Sequence, residues 1–569
     1  MSKCTYSIEN EIITLSNGLF TKSFKRANSA KAYEEDGEGL SEPYTRIEVK
    51  DMYQTKNYIV WDDLPAVYMP SYKEYSLLNL EGEHWMIRSV KLHAFTDDND
   101  TLCEENEYNM FARNLFFTQK GEIFFLENPE TGDAHVIICE LPDYQSATLS
   151  IKGGEVIIDN GTNGLLLGFC KMGECEKLCR DYFRHAKKAE GLVTMSNTWG
   201  DRNGYSRVCA DFVLKEIDAA EEIGVDIVQI DDGWQFGCTS DKSRRDETGW
   251  REYKDDFWYL DETKFPNGMK VVTDYAKDKG IKVGMWFAPA SQWNFALRQR
   301  DLAVLKKAYD EWGIRFFKLD MYWVRSDADR DNFLEFLKGI YSFGSDVSVQ
   351  LDITRNDRLN YLCGRQYGTL FVENRYTKSA NSFPHRILRN LWMISKYLPA
   401  SKFQFELINP DLFTECYNEN DPFAPTLYDM DYLFATVMLS NPLVWMEMQF
   451  LSKDRIAQMK PLLNVWKSLR DDFAKFDVAP IGKKPNGRNF TGFSVSSEGK
   501  VKYLLLFREV TEKENGIFAL DIQKSDCEIL ATNANASVEI SDGFVMATLD
   551  KPRAYVLVKV NGGDNYGVN

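Results

Sequence analysis

Residues 315–323 read RFFKLDMYW. An apolar run of Phe316, Phe317, Leu319 and Met321 is broken by Lys318 and Asp320. Burying two charges in a strand is costly unless they are paired or used. Side chains alternate between the faces of a strand. Phe317 and Leu319 therefore share one face, and Phe316, Lys318 and Asp320 share the other. Such a strand packs helices on its apolar side and turns two charges toward a common interior.

The neighbouring sequence repeats the pattern. Within residues 191–472, short apolar stretches alternate with amphipathic helical ones. The strand-like stretches are MSNTWG (195–200), VDIVQIDDGW (225–234), KVGMWFAP (282–289), RFFKLDMYW, VSVQLDIT (347–354), TLFVENRY (369–376), KFQFELIN (402–409) and PLVWMEM (442–448). Eight strands with helices between them predict a closed (β/α)8 TIM barrel, an α/β fold. An open doubly wound sheet would want a GxGxxG turn after its first strand, and none is present. Residues 1–190 instead show short alternating segments separated by Gly, Asn and Asp, which predicts an N-terminal antiparallel β-domain. Residues 473–569 return to strand patterns and predict a C-terminal β-sandwich.

The alternation test extends to the other barrel strands. Gln229 and Asp231 point inward, with Asp232 at the lip. So do Gly284 and Trp286, Gln350 and Asp352, Phe371, Glu373 and Arg375, and Gln404 and Glu406. Five strands thus aim carboxylates (Asp231, Asp320, Asp352, Glu373, Glu406) at one rim, the C-terminal end where barrel enzymes build their sites. Lys318 and Arg375 offset part of that charge.

Composition narrows the chemistry. The formal charge is −18, from 68 basic and 86 acidic residues, which argues against nucleic acid as a partner. No run of 18 apolar residues predicts a membrane span. The five histidines show no HExxH spacing and the eleven cysteines no paired CxxC motifs, so neither a metal site nor another cofactor is expected. Scattered thiols and an N-terminus without a signal-like apolar stretch point to the cytoplasm. Carboxylates with tryptophans suit a small carbohydrate: carboxylates accept from hydroxyls, and indole faces stack on the apolar side of a sugar ring. Two carboxyl groups flanking a glycosidic bond suffice for its hydrolysis. Asp320, beside Lys318, is the candidate nucleophile, and Glu373 the candidate general acid.

NTW (197–199), GVDIVQIDDGWQ (224–235), KFPNGMKVVTDYAKDKGIKVGMWFAP (264–289) and FFKLDMYW (316–323) together resemble the melibiase-type α-galactosidases, glycoside hydrolase family 36, and more distantly family 27. The resemblance implies a retaining, exo-acting fold with Asp320 as nucleophile. It places Asp231 and Asp232 on the galactose O4 and O6, Lys318 on the sugar, and Trp199 and Trp286 in the pocket wall. It also suggests a homo-oligomer. The chain departs from the family in three places. VENRYT (372–377) replaces the acid/base motif S-D-N-T, so Glu373 stands for an aspartate. LDITRNDRLNYL (351–362) replaces a glycine-rich stretch and brings Asp352 and Arg355 as candidate sugar ligands, with Arg375 beyond. Ala288 stands where the family has a glutamate. Two other readings use the same barrel: a transglycosylase of the raffinose-synthase type, and a non-catalytic sugar-binding protein on a decayed site.

Overall fold

The computed structural model describes residues 5–9, 12–25, 47–49, 52–54, 59–61, 63–80, 84–92, 103–111, 116–140, 147–186, 191–202, 204–239, 256–354, 361, 366–372 and 375–561. The chain divides into two compact units. One holds residues 1–93, 101–187 and 359–365, the other residues 94–100, 188–358 and 366–569.

The first unit is built on an antiparallel sheet. Its central strands are Ala66–Asn79, Glu155–Lys171, Asp133–Cys139, Ile123–Glu127, His84–Leu92 and Cys103–Phe111, hydrogen-bonded in that order. Phe116–Gly121 pairs with Ala147–Lys152, which joins the long strand Glu155–Lys171. Alternate residues of these strands, among them Ile87, Phe124, Leu126, Ile137, Leu149, Val156 and Leu167, form one buried cluster. The strand Glu155–Lys171 runs on through Asn160, Gly161 and Asn163, and its pairing with 66–79 continues through irregular register at residues 159–165.

The second unit holds the barrel. Its strands are β1 (Met195–Asn197), β2 (Ile227–Ile230), β3 (Lys282–Phe287), β4 (Phe316–Leu319), β5 (Ser348–Asp352), β6 (Thr369–Phe371), β7 (Phe403–Leu407) and β8 (Asn441–Val444). They are parallel and close on themselves in sequence order, as the eight stretches predict. The helices that return the chain include α1 (Ala210–Ile223), α2 (Met269–Asp278), α3 (Arg298–Trp312), α4 (Asp327–Tyr341) and α5 (Pro384–Ile394). Local chemistry sets their ends. Ser326 caps α4 by accepting from Asp329 N, while Gly224 and Gly313 stop α1 and α3 in the left-handed conformation that glycine tolerates best.

Register decides what meets inside. Trp286, Lys318 and Gln350 stand level on β3, β4 and β5, and Asp352, Phe371 and Gln404 on β5, β6 and β7. Below the rim lies a layer of amides. Asn197 Nδ2 donates to Gln229 Oε1 (2.7 Å), Gln350 Nε2 donates to Gln404 Oε1, and Gln404 Nε2 reaches Met195 Sδ. Met195, Ile227, Phe371, Leu443 and Trp445 fill the remaining interior. The seam that closes the barrel is short: β1 and β8 pair only through Met195–Leu443 and Ser196–Val444.

After the helix Lys453–Lys475, two antiparallel sheets complete the unit. Strands 477–482, 490–497, 500–508, 554–560 and 527–532 form one, and strands 515–519, 544–549 and 536–541 the other. Leu504, Leu506, Phe518, Val545, Ala547, Val556 and Val558 share one core between them.

Candidate active site

Lys318 is the hub. It is 3% exposed, and its ammonium faces three carboxylates: Asp231 at 2.9 Å, Asp352 at 3.9 Å and Asp320 at 4.0 Å. Burial alone would push its proton off; the three carboxylates outweigh that and hold its pKa above the ordinary lysine value. The same ammonium lies 5.3 Å from the Trp445 ring and 5.6 Å from the Phe371 ring. One cation thus gathers side chains from β2, β4 and β5 at a single depth, with β6 and β8 supplying aromatic walls.

Asp320 sits just past β4, where its N–H still donates to Phe287 O (3.1 Å). The chain then turns through Met321 at φ 54°, a conformation uncommon outside glycine. That turn brings Met321 N to Asp320 Oδ1 at 2.5 Å, while the indole N–H of Trp286 donates to Oδ2 at 3.2 Å. Both oxygens are therefore oriented. The Asp320 side chain is 19% exposed, against 3% for Asp231 and 5% for Asp352, so it is the most accessible of the three.

The IDDGWQ segment organises itself. Asp231 accepts from Asn197 Nδ2 (2.8 Å) and Lys318, and its own N–H donates to Thr198 Oγ1. Asp232 N donates to Asp231 Oδ1, and Gln235 Nε2 to Asp232 Oδ1 (2.7 Å). Gly233 adopts φ 126°, and a Cβ there would lie 2.9 Å from Tyr205 Cβ, so the bend after the aspartates requires glycine. Trp234 is buried and donates to Trp286 O (2.9 Å), tying this bend to β3. Asp352 is pinned from the other side, since Thr354 donates to its Oδ1 from both N (3.1 Å) and Oγ1 (2.8 Å).

Asp231, Asp232, Trp286, Lys318, Asp320 and Asp352 thus stand on one connected network. Trp199 is half-buried beside it and donates from Nε1 to Tyr376 OH (3.1 Å). Arg375 is buried, but its Nη1 donates to Asn381 O (3.0 Å), so at least part of its guanidinium serves the turn that follows β6. Glu406 is also fully buried and accepts from Arg375 N (2.6 Å), two residues beyond Gln404 toward the C-terminal end of β7. Glu373 and Arg355 lie outside the described residues. Sequence reasoning passes over Asn197 and Trp445. Both have the parity of the inward residues Met195 and Leu443, so the alternation test finds them once it is applied to β1 and β8.

Residues 159–296 match the Melibiase family model, which bears out the resemblance read from the motifs. An alpha-galactosidase of Escherichia coli is 31% identical over 93 residues, covering 16% of this chain and 11% of that protein. The alpha-galactosidase Mel36A of Lactobacillus acidophilus is 34% identical over 134 residues, covering 24% of this chain and 16% of that protein. The matched stretches are thus a small part of those relatives' length. The fold likeness runs much further. The alpha-galactosidase of Lactobacillus brevis superposes with a TM-score of 0.63 at 11% identity, covering 100% of this chain and 84% of that one. The GH36 alpha-galactosidase AgaA of Geobacillus stearothermophilus, in a variant solved with raffinose, gives 0.62 at 11% identity over 90% and 81%.

Proposed function

We propose that this chain is a retaining glycoside hydrolase that removes terminal α-galactosyl or closely related α-glycosyl residues. The observation that carries the reading is the Lys318 hub: one buried ammonium within 4.0 Å of Asp231, Asp320 and Asp352, with the Trp286 indole on Asp320. Paired and oriented in this way, Asp320 stays ionised and aimed, as a nucleophile needs. It attacks the anomeric carbon, and a covalent glycosyl-aspartate forms as the bond to the leaving oxygen breaks. Glu373 gives that oxygen its proton, then takes one from the water that releases the sugar. Asp231 and Asp232 accept from ring hydroxyls, Lys318 donates to one, and Trp199 supplies an apolar face. We assign Arg355, Asp352 and Arg375 to the sugar-binding set as well.

The melibiase match and the named α-galactosidases among similar proteins support the choice of glycone. Raffinose bound to the AgaA variant supports an oligosaccharide substrate. Eight free cysteines among the described residues fit a reducing compartment such as the cytoplasm.

The test is hydrolysis of aryl α-glycosides followed by proton NMR. An α-galactoside that first releases the α-anomer, together with loss of turnover in a folded Asp320→Asn variant, supports the reading. First release of the β-anomer, or near-normal activity in the variant, refutes it. Including a sugar acceptor in the same reaction separates hydrolysis from transfer.

A further inference from the structure

Three buried carboxylates stand beside the barrel seam, apart from the Lys318 network. Asp201 follows β1, Glu216 lies on α1, and Glu447 follows β8. Asp201 Oδ2 accepts from Glu447 N (3.0 Å). Glu216 accepts from Met448 N (2.9 Å), Gln449 N (3.1 Å) and Gln449 Nε2 (2.8 Å). Arg207, on the turn Gly204–Arg207, donates to Glu447 Oε2 (2.5 Å). The N–H groups of residues 447–449, just past β8, are therefore held by carboxylates of the first β/α unit. Asp201 adopts φ 46°, away from the usual regions for a non-glycine residue, to make its bond. The preceding Gly200 packs so closely that a Cβ would lie 2.5 Å from Met446 N and from the Trp445 carbonyl carbon.

The seam strands themselves contribute only two residue pairs, so this set of bonds extends the closure beyond them. The elements it joins carry the pocket's aromatic wall. Trp199 is two residues before Asp201, and Trp445 two residues before Glu447. Tyr376 stands between them, accepting from Trp199 Nε1 and packing 5.9 Å from the Trp445 ring. We infer that Asp201 is a positioning residue: its carboxylate latches the end of β8 to the loop after β1 and so fixes the buried Tyr376 and Trp445 that back the half-buried Trp199, the face against which the sugar binds. This rests on the glycosidase reading of the pocket.

The charged groups facing Asp201 are Glu447 from the β8 end, Glu216 from α1 and Arg207 from the 204–207 turn. Burial, then repulsion from the two glutamates, pushes Asp201 up to about 7, against the hydrogen bond from Glu447 N and the pull of Arg207. The latch therefore changes charge near neutrality. An ionised acceptor makes a stronger hydrogen bond than a neutral one. Burial and the two glutamates outweigh that bond, so the latched arrangement keeps a proton that an opened, solvated Asp201 would release, and sugar binding should weaken as pH rises through about 7.

The experiment compares the full-length wild type, Asp201→Asn and Asp201→Ala with an aryl α-galactoside from pH 5.5 to 8.5. The wild-type KM is expected to rise about threefold to tenfold as pH rises through 7. Asn keeps a neutral acceptor but cannot titrate, so its KM stays near the wild-type low-pH value and rises less with pH than the wild type's, the remaining rise being that of Glu216, which holds the neighbouring N–H groups. Ala has no acceptor, so its KM is raised across the whole range, while kcat in both stays within about threefold because Asp320 is untouched. Calorimetric binding of 1-deoxygalactonojirimycin gives the same comparison without turnover. Wild-type KM in Asp201→Ala, or an Asp201→Asn variant that retains the wild-type pH response, overturns the latch alone. A wild-type chain that neither cleaves the galactoside nor binds the iminosugar overturns the glycosidase reading and the positioning role with it.

Discussion

Lys318→Met removes the ammonium and keeps most of the side-chain volume. At an effective dielectric near 20, a unit charge 4.0 Å away is worth about 4 kcal/mol. Asp320 is partly open to solvent, so about half of that, roughly 2 kcal/mol, is the reasonable share, or one to two pH units. The acidic limb of kcat/KM should therefore move up by one to two units. Asp231 and Asp352 are less exposed and lose a cation at 2.9 and 3.9 Å. Breaking a buried pair in this way costs about 3–5 kcal/mol of stability. Because the lysine's pKa is raised in the fold, its contribution is present throughout the neutral range and is lost only as pH climbs past the ordinary lysine value. The assay is a pH–rate profile on an aryl α-galactoside paired with urea unfolding at pH 7. An acidic limb that does not move, with stability within about 0.5 kcal/mol of wild type, would refute the hub as the organising element.

Glu373→Gln should slow substrates with poor leaving groups far more than activated aryl glycosides, because only the former need protonation; an equal loss on both assigns the acid elsewhere. Trp286→Phe removes the indole donor 3.2 Å from Asp320 and should lower kcat about fivefold to tenfold with little change in KM, measured by steady-state kinetics. Burial raises both Asp201 and Glu216 to about 7, so the folded chain keeps protons that the unfolded chain releases near pH 4. Their contribution to stability therefore falls as pH rises from about 4 to 7, by on the order of a few kcal/mol in all. Melting curves should show a smaller fall for Asp201→Asn than for wild type, and identical pH slopes would contradict this.

The barrel is legible because its strands are buried on both faces yet carry charge at one parity and one end. Alternation alone picks out Lys318, Asp231 and Asp352, the residues that meet at the hub. Other features need register, which no single strand encodes. The Gln350–Gln404 pair joins β5 to β7 across the interior, and Asp201 meets Glu447 from 246 residues away. Strand 477–482 escapes pattern reading because Pro480 interrupts it; its place at a sheet edge is where proline is tolerated. Glu406 is fully buried although alternation reads it as a rim carboxylate, since alternation reports the side a residue faces and says nothing of what covers it.

The amides Asn197, Gln229, Gln350 and Gln404 cross-tie β1 to β2 and β5 to β7 inside the cylinder, Gln350 being the register neighbour of Lys318. A close-packed interior passes small displacements on, so a change in any one of these ties should be felt at the lysine.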